Sequence, residues 1–470
     1  MTSASGNDSP SRREPVLTET SARIIPRDQH PISRSDISES ALKVLYRLIG
    51  AGYQAFLVGG GIRDLLVGIT PKDFDIATDA SPEEVRALFR NARLIGRRFR
   101  LAHVRFGREI IEVATFRGAA ADDAPAVERE ALPSRRRSNA DNEPAAALSG
   151  AGMILRDNVY GNVEDDAARR DFTINALYYT PADFCIYDFA GGIEDIARRR
   201  IRLIGDPQQR YREDPVRILR ALRFAAKLEF SLDPVTADPI PELAELLLDV
   251  PAARLFDEVV KLLMHGQGEA TFDLLLQYRV FPMLFPESSA RMDQDPAQTA
   301  LIRAALVNTD RRIDEELPVT PGFLFAALLW PAVIDEQQAL EADGHAPKEA
   351  LALAAARAIA RQQEYTSVPR RFATFMRETW ELQPRLESVG PRQVERLIEH
   401  PRFRAAYDFL VVRERADHAT GDMGAWWTSY QAAGEEERLE LRAALRKQPR
   451  GAATVTAARK RRRRRRATPT

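Results

Sequence analysis

The sequence predicts an α+β protein: a mixed head of strands and helices, an all-helical second half, and disordered ends. Three observations predict it. Strand-like runs and helical repeats alternate up to Asp214-Pro215. Beyond it, apolar residues recur at helical spacing: Ile218, Leu219, Leu222 and Ala226, then Leu243, Leu246 and Leu247, then Leu255, Val259 and Leu262. At both ends the apolar period fails, leaving too little apolar surface to offset the entropy of ordering.

Residues 1–34, rich in Ser, Pro and Arg, are read as disordered. The head, 35–190, opens with a helix near Glu39, where Leu42, Leu45 and Ile49 share a face and Gly50 and Gly52 end it. Ala55–Val58 is a buried strand running into Gly59-Gly60-Gly61 and a short helix, Ile62 to Val67. In Asp73-Phe74-Asp75-Ile76 polar and apolar residues alternate, so a strand there sets both carboxylates on one face. Ser81-Pro82-Glu83-Glu84 has the form of a capping box with proline at the first helical position. Arg100–Phe106 and Glu109–Phe116 read as a hairpin whose Gly107-Arg108 suits a type II′ turn. Residues 119–152 turn to Ala, Asp, Pro, Ser and Arg and read as a mobile insertion. A helical neck over 191–270, a helical body over 271–433 and a disordered basic tail over 434–470 complete the expected organisation.

The chain has 470 residues, and its 68 Lys+Arg balance 68 Asp+Glu. The balance conceals a polarity, because Arg459, Lys460, Arg461, Arg462, Arg463, Arg464, Arg465 and Arg466 are an unbroken basic run. Without those eight, 60 basic residues face 68 acidic ones, so the body is mildly acidic. No apolar run is long enough for a transmembrane helix, and the polar N-terminus lacks the apolar middle of a secretory signal, so a cytoplasmic protein is expected. The single cysteine, Cys185, excludes an internal disulfide and a zinc cluster and reads as a small buried apolar residue.

Glycines after a strand let backbone N–H groups approach an anion, which makes Gly59 and Gly60 candidate phosphate-binding residues. Two carboxylates on one strand face ionise together cheaply only with a cation between them, so Asp73 and Asp75 are candidate Mg²⁺ ligands. Glu112, inside the apolar run Ile110 to Phe116, is a third candidate ligand, or else a carboxylate paired with an arginine. Arg169-Arg170-Asp171-Phe172-Thr173-x-Asn175 joins two cations, an anion and an amide, which suits triphosphate oxygens and sugar hydroxyls as well as a surface ion cluster. At the start of the next helix Asp214 reads as the cap, Pro215 as the first residue, and Arg217 and Arg220 as one-turn neighbours. Such an acceptor and donor can read a base edge; ordinary capping explains the same letters.

Four stretches then stand out together: Leu57-Val58-Gly59-Gly60-Gly61-Ile62-Arg63-Asp64, Lys72-Asp73-Phe74-Asp75-Ile76, Arg170-Asp171-Phe172-Thr173-Ile174-Asn175-Ala176 and Glu213-Asp214-Pro215-Val216-Arg217-Ile218-Leu219-Arg220. In order and content they resemble the motifs of class II template-independent nucleotidyltransferases, which include bacterial poly(A) polymerases and tRNA CCA-adding enzymes, over residues 45–265. The resemblance implies a DNA polymerase beta-type head followed by helical neck and body domains. It implies that Asp73 and Asp75 bind catalytic Mg²⁺, that Asp171 belongs with the active-site carboxylates, and that Arg63, Arg170 and Asn175 serve the nucleotide. It further implies that Asp214 and Arg217, with Arg220 beside them, recognise the incoming base. Strand geometry favours Glu112 as the third catalytic carboxylate and the motif favours Asp171.

Leu94 to Val104, with Arg97 and Arg98, is similar to the stretch marking the poly(A)-adding branch. The basic tail suits a sequence-independent hold on RNA, and no His is followed by Asp, which removes the phosphohydrolase pair of some CCA-adding enzymes. Trp426-Trp427 and the Phe403 to Phe409 stretch read as core. The expected activity is transfer of AMP from ATP to RNA 3′ ends, with CCA addition to tRNA and a non-catalytic RNA-binding adaptor as alternatives. RNA 3′ ends and ATP are the implied partners, and RNA degradation machinery or an RNA chaperone would fit the same role.

Overall fold

The structure, a computed structural model, describes residues 22–96, 100–118 and 159–445, and the backbone of 126–127, 146–149 and 154–157. The 119–152 segment therefore lies largely outside the described residues, as do the pair Arg97 and Arg98 and the run Arg459 to Arg466. The chain divides into two compact units between Leu243 and Ala244, inside the segment read from sequence as the neck.

The first unit is built on an eight-stranded sheet. Its strands are β1 (Arg23–Ile25), β2 (Ala55–Val58), β3 (Asp75–Thr78), β4 (Ala92–Ile95), β5 (Leu101–Phe106), β6 (Glu109–Thr115), β7 (Leu177–Tyr179) and β8 (Ile186–Asp188). They lie in the order β1-β8-β7-β2-β3-β6-β5-β4. Only β3 and β6 run parallel; the other neighbours are antiparallel. Three helices cover one face: α1 (Glu39–Gly50), α2 (Gly60–Leu66) and α3 (Pro82–Leu88). Their Val44, Leu45, Leu48, Ile62 and Val85 share a core with Leu57, Ile76, Ala102 and Val113. On the other face α4 (Val163–Arg169) lays Val163 and Ala167 on Phe56, Val58, Ala77 and Tyr178. Past α4, that face is exposed at Arg93, Arg105, Ile110 and Glu112.

Local chemistry sets the element ends. Ser81 and Glu84 form the expected capping box on α3, with Ser81 N–H donating to the Glu84 carboxylate at 2.7 Å. The β5–β6 hairpin pairs Phe106 with Glu109 across two residues, and Gly107 takes φ +60 as a glycine-first turn requires. The helical second half is also borne out: α5 (Gly192–Ala197), α6 (Pro207–Glu213) and α7 (Val216–Leu228) are followed by short helices at Pro234–Ala237 and Ile240–Leu243 that close the first unit, and the second is helical throughout its described length. There Trp427 and Phe409 are fully buried, as a core reading requires, while Trp426 stacks on Tyr430 at 5.1 Å.

Five expectations are corrected. Residues 434–445, read as the start of a disordered tail, carry a helix at Glu435–Leu445. Residues 22–34 are ordered: β1 pairs with β8, Ile25 and Ile32 are buried, and His30 Nε2 lies 2.9 Å from the Phe184 carbonyl. The open edge of β8 offers the ladder that this polar segment could not form alone. The strand carrying the aspartates begins at Asp75, because residues 72–74 first pass over α2, where Phe74 is buried. Pro215, not Asp214, stands at the cap of α7, and no side chain caps it; the Arg217 and Ile218 N–H groups bond instead to the Asp214 and Pro215 carbonyls. Cys185 is half-buried, at the edge of the cluster under α4.

Candidate active site

The backbone at Gly59 brings the site's two halves together. This residue leaves β2 with φ +71 and ψ −135, a conformation nearly reserved for glycine. A Cβ here would stand 3.4 Å from the Arg170 guanidinium, and one on Gly61 would stand 3.5 Å from the Asp73 carbonyl. Arg170 and the aspartate segment thus both border this turn.

Asp75 is in register with Glu112 on β6, which is in register with His103 on β5, so the three share the sheet face left open by α4. Asp73 lies two residues before Asp75, ahead of β3, and both aspartates are exposed while Phe74 and Ile76 turn inward. Surrounding protein, then the Glu112 and Asp73 charges, push the Asp75 pKa up to about 6 against the opposing pull of Arg170. Glu112 is not in the buried setting read from sequence: β6 alternates, its side chain is 48% exposed, and its partner is His103 at 3.0 Å rather than an arginine.

Among the described residues no three His, Cys, Asp or Glu side chains form a ready-made metal cage. The donor chemistry nevertheless fits Mg²⁺, which takes one or two carboxylates together with substrate phosphates rather than an all-protein cage. Beyond burial, the Glu112 and Asp73 charges add to the upward shift of Asp75, as neighbouring carboxylates do.

Asp171 is held differently. One oxygen accepts from the Phe172 N–H at 2.8 Å and the Asn175 amide at 3.0 Å; the other accepts from Arg220 at 2.7 and 2.5 Å. Burial would raise its pKa, but Arg220 and the Asn175 and Phe172 hydrogen bonds hold it down to about 2. Asp171 fixes α7 to the 170–175 turn. Arg63 does the same for α2: it is 3% exposed, donates to Asp64 and to the Asn175 side-chain oxygen at 2.6 Å, and lies over Phe224, while Lys227 closes on Asp64 at 3.0 Å. The predicted Arg63 and Asn175 therefore face each other inside the wall of the site. Arg170 borders its interior, donating to Tyr178 at 2.7 Å and Asp166 at 3.0 Å.

Beside Arg170 lies a crowd of guanidinium groups that the motif reading only partly found. Burial, then the neighbouring Arg117 and Arg210 charges, push the Arg169 pKa down to about 10. Arg117 is lowered too, by burial and by Arg170, with Asp166 opposing. Arg210 donates to the Arg169 and Arg170 carbonyls at 2.7 Å, and Arg210 and Arg217 both bond Glu213. Arg217 thus turns toward α6 and Arg220 toward Asp171. Cations compressed this way favour an anion among them. Sequence reading had no signal for Arg117 or Arg210, since neither lies in a dense motif. A cleft of about 780 Å³ lies elsewhere, between α4 and residues 200–207, and none of the predicted site residues lines it.

Comparison with known proteins agrees with this layout. Residues 55–202 match the family model "Poly A polymerase head domain", residues 229–292 "Probable RNA and SrmB- binding site of polymerase A", and residues 343–467 "Polymerase A arginine-rich C-terminus". Poly(A) polymerase I of Salmonella typhimurium is 47% identical over 444 residues, which is 93% of this chain and 92% of its own. The CCA-adding enzyme of Bacillus subtilis is 36% identical over 244 residues, 52% of this chain and 55% of its own. Among solved structures, the Thermotoga maritima CCA-adding enzyme complexed with tRNA superposes with a TM-score of 0.55 at 19% identity, over 87% of this chain and 85% of that one, a likeness of fold.

Proposed function

The chain belongs to the poly(A) polymerase I family of polynucleotide adenylyltransferases, and we propose that it extends RNA 3′ ends with AMP at Asp73, Asp75 and Glu112. The carrying observation is the shared face of Asp75 and Glu112 beside the glycine turn and Arg170. Members of the family use ATP and divalent ions; Mg²⁺ is the ion proposed here, held by Asp73, Asp75 and Glu112. When bound it supplies neutralisation of phosphate charge and a lower pKa for the attacking hydroxyl.

The RNA 3′-hydroxyl attacks the α-phosphate of ATP, a phosphodiester bond forms as the α–β anhydride bond breaks, and pyrophosphate leaves. The hydroxyl proton passes to solvent. This chain's contribution is positioning and electrostatics, without a covalent enzyme intermediate. Gly59 and Gly60 admit the triphosphate, and Arg170, with Arg169 and Arg117 behind it, anchors its oxygens. Asp171 acts as a positioning residue, since its oxygens are already engaged. Asp214 and Arg217 read the base edge, Arg217 oriented by Glu213. The 229–292 match and the basic tail support RNA as the partner, with Arg97, Arg98 and Arg459 to Arg466 as further contacts. No described helix is long and apolar enough to cross a membrane; a cytoplasmic site of action belongs to the same proposal.

Extension of a labelled non-tRNA RNA with Mg²⁺ and each nucleoside triphosphate alone tests the reading. A long ladder with ATP and little with CTP is expected. Growth restricted to a tRNA lacking its end would overturn the poly(A) assignment, and no growth on either RNA would overturn catalysis.

A further inference from the structure

The open face of the sheet extends beyond the carboxylates, and its composition is that of a nucleic-acid platform. Arg93 on β4 is in register with His103 on β5, His103 with Glu112 on β6, and Glu112 with Asp75 on β3. One cross-strand row therefore runs from Asp75 to Arg93, about 14 Å at ~4.8 Å per strand. Arg105 pairs with Ile110 on one side of this row, and Ile95 with Leu101 on the other.

These side chains face water. Arg93 and Arg105 are exposed, and Ile95 and Ile110 are 38% and 40% exposed. Neither arginine forms an ion pair among the described residues. The buried alternates Ala102, Val104, Ile111 and Val113 enter the core beneath α1 and α3, so this display follows from the strand period. Glu112 is the acidic residue on this side of the three strands; Glu109 alternates to the other.

Resting on the function proposed above, we infer that this face of β4, β5 and β6 is a subsite for the single-stranded RNA leading to the reactive 3′-hydroxyl. Arg93 and Arg105 contact its phosphates, and Ile95 and Ile110 give apolar area to the bases. Two unpaired cations suit a polyanion, and two exposed isoleucines suit base faces in a way that a purely solvated strand does not require. Continuity with Asp75 and Glu112 fixes the polarity: the 3′ end lies over the aspartates and the preceding nucleotides run toward β4. Phosphate and base-face contacts without a base-edge reader make this hold tolerant of sequence.

Two measurements on the full chain test the subsite. RNA carrying 4-thiouridine a few nucleotides before its 3′ end is irradiated with the protein, without ATP, and the adducts are mapped by mass spectrometry. Adducts within residues 92–95 or 101–110 are expected, and adducts confined to other segments overturn the inference. The paired substitution Arg93→Glu and Arg105→Glu alters exposed side chains, and an unchanged melting temperature verifies its fold. Its KM for RNA should rise about tenfold or more, and the slope of log KM against log salt should fall by about 1.4, at ~0.7 per phosphate contact. KM for ATP and kcat at saturating RNA should stay within about twofold, and Arg93→Lys with Arg105→Lys should restore most RNA affinity. An unchanged RNA KM or salt slope overturns the subsite while wild-type extension continues. Loss of wild-type extension speaks against the proposed activity, and the crosslink still judges the surface.

Discussion

Asp171 and Arg220, 49 residues apart in the chain, meet through two hydrogen bonds of 2.7 and 2.5 Å that bind the 170–175 turn to α7. Because its other oxygen holds Asn175 and the Phe172 N–H, Asp171 presents no spare oxygen to a metal. Of the two candidates for the third carboxylate, Glu112 is the one that shares a face with Asp75.

Breaking the Asp171–Arg220 pair should therefore act first on stability. Arg220→Ala leaves a nearly buried carboxylate without its cation and should cost about 3 kcal/mol, read by thermal or urea unfolding at neutral pH. Asp171 has a folded-state pKa near 2, below its ordinary value, so its contribution is present above pH ~4 and disappears as pH falls through 2. In Arg220→Ala the Asp171 pKa should rise, measurable by carboxyl NMR. Adding Asp171→Asn should recover part of the loss, whereas strict additivity would show that the pair is not coupled.

Asp75 has the opposite sign. Its folded-state pKa, near 6, lies above the ordinary 3.8, so the folded state binds the extra proton and metal-free stability should fall as pH rises from about 4 to 6. Added Mg²⁺ should reverse that fall. Asp75→Asn should melt higher than wild type at pH 7 without divalent ion, gain nothing from Mg²⁺, and lack extension activity. A wild-type melting curve indifferent to both pH and Mg²⁺ across this window would refute the shared cation.

What could be read from sequence and what could not follows the range of the interactions. The Ser81–Glu84 box, the Gly107 turn and the alternation at Asp73 to Ile76 are local, and each is visible within a few residues. The three-residue strands β1, β7 and β8 are too short for a period-two signal and exist because neighbours template them. Arg117 and Arg210 reach the site only through the fold, and the turn of Glu112 from a supposed buried charge to an exposed partner of His103 depends on which face of β6 was covered. Motif letters singled out Asp171 without revealing Arg220 as its partner.

Gly59 offers a test of the backbone. Alanine at φ +71 and ψ −135 should cost about 1–3 kcal/mol, and relief of that strain would shift the turn that borders Arg170, the group proposed to anchor the triphosphate. Extension should fall about 100-fold, the effect of misplacing a positioning group by about 1 Å. Gly68→Ala, where φ is +79 with open space around the Cβ, is the control: an alanine at positive φ on the far end of α2, with extension retained. Equal losses of activity in the two variants would assign the effect at Gly59 to strain alone.

The basic tail and the sheet face should contribute to RNA affinity as separate terms. Removing residues after Gln448 deletes Arg450 and Arg459 to Arg466, nine cations with no sequence preference of their own. RNA binding should weaken for every RNA tested, and its salt slope should fall by up to about 6, since each neutralised single-strand phosphate contributes ~0.7. Extension at saturating RNA should persist, because the residues assigned to the chemistry lie between Gly59 and Arg220. In the truncated chain the further drop of about 1.4 from Arg93→Glu with Arg105→Glu should survive unchanged, as independent sites add. A truncation that leaves affinity and salt slope where they were would remove the tail from RNA binding, and a drop that vanishes in the truncated chain would mean that the tail and the sheet face contact the same phosphates.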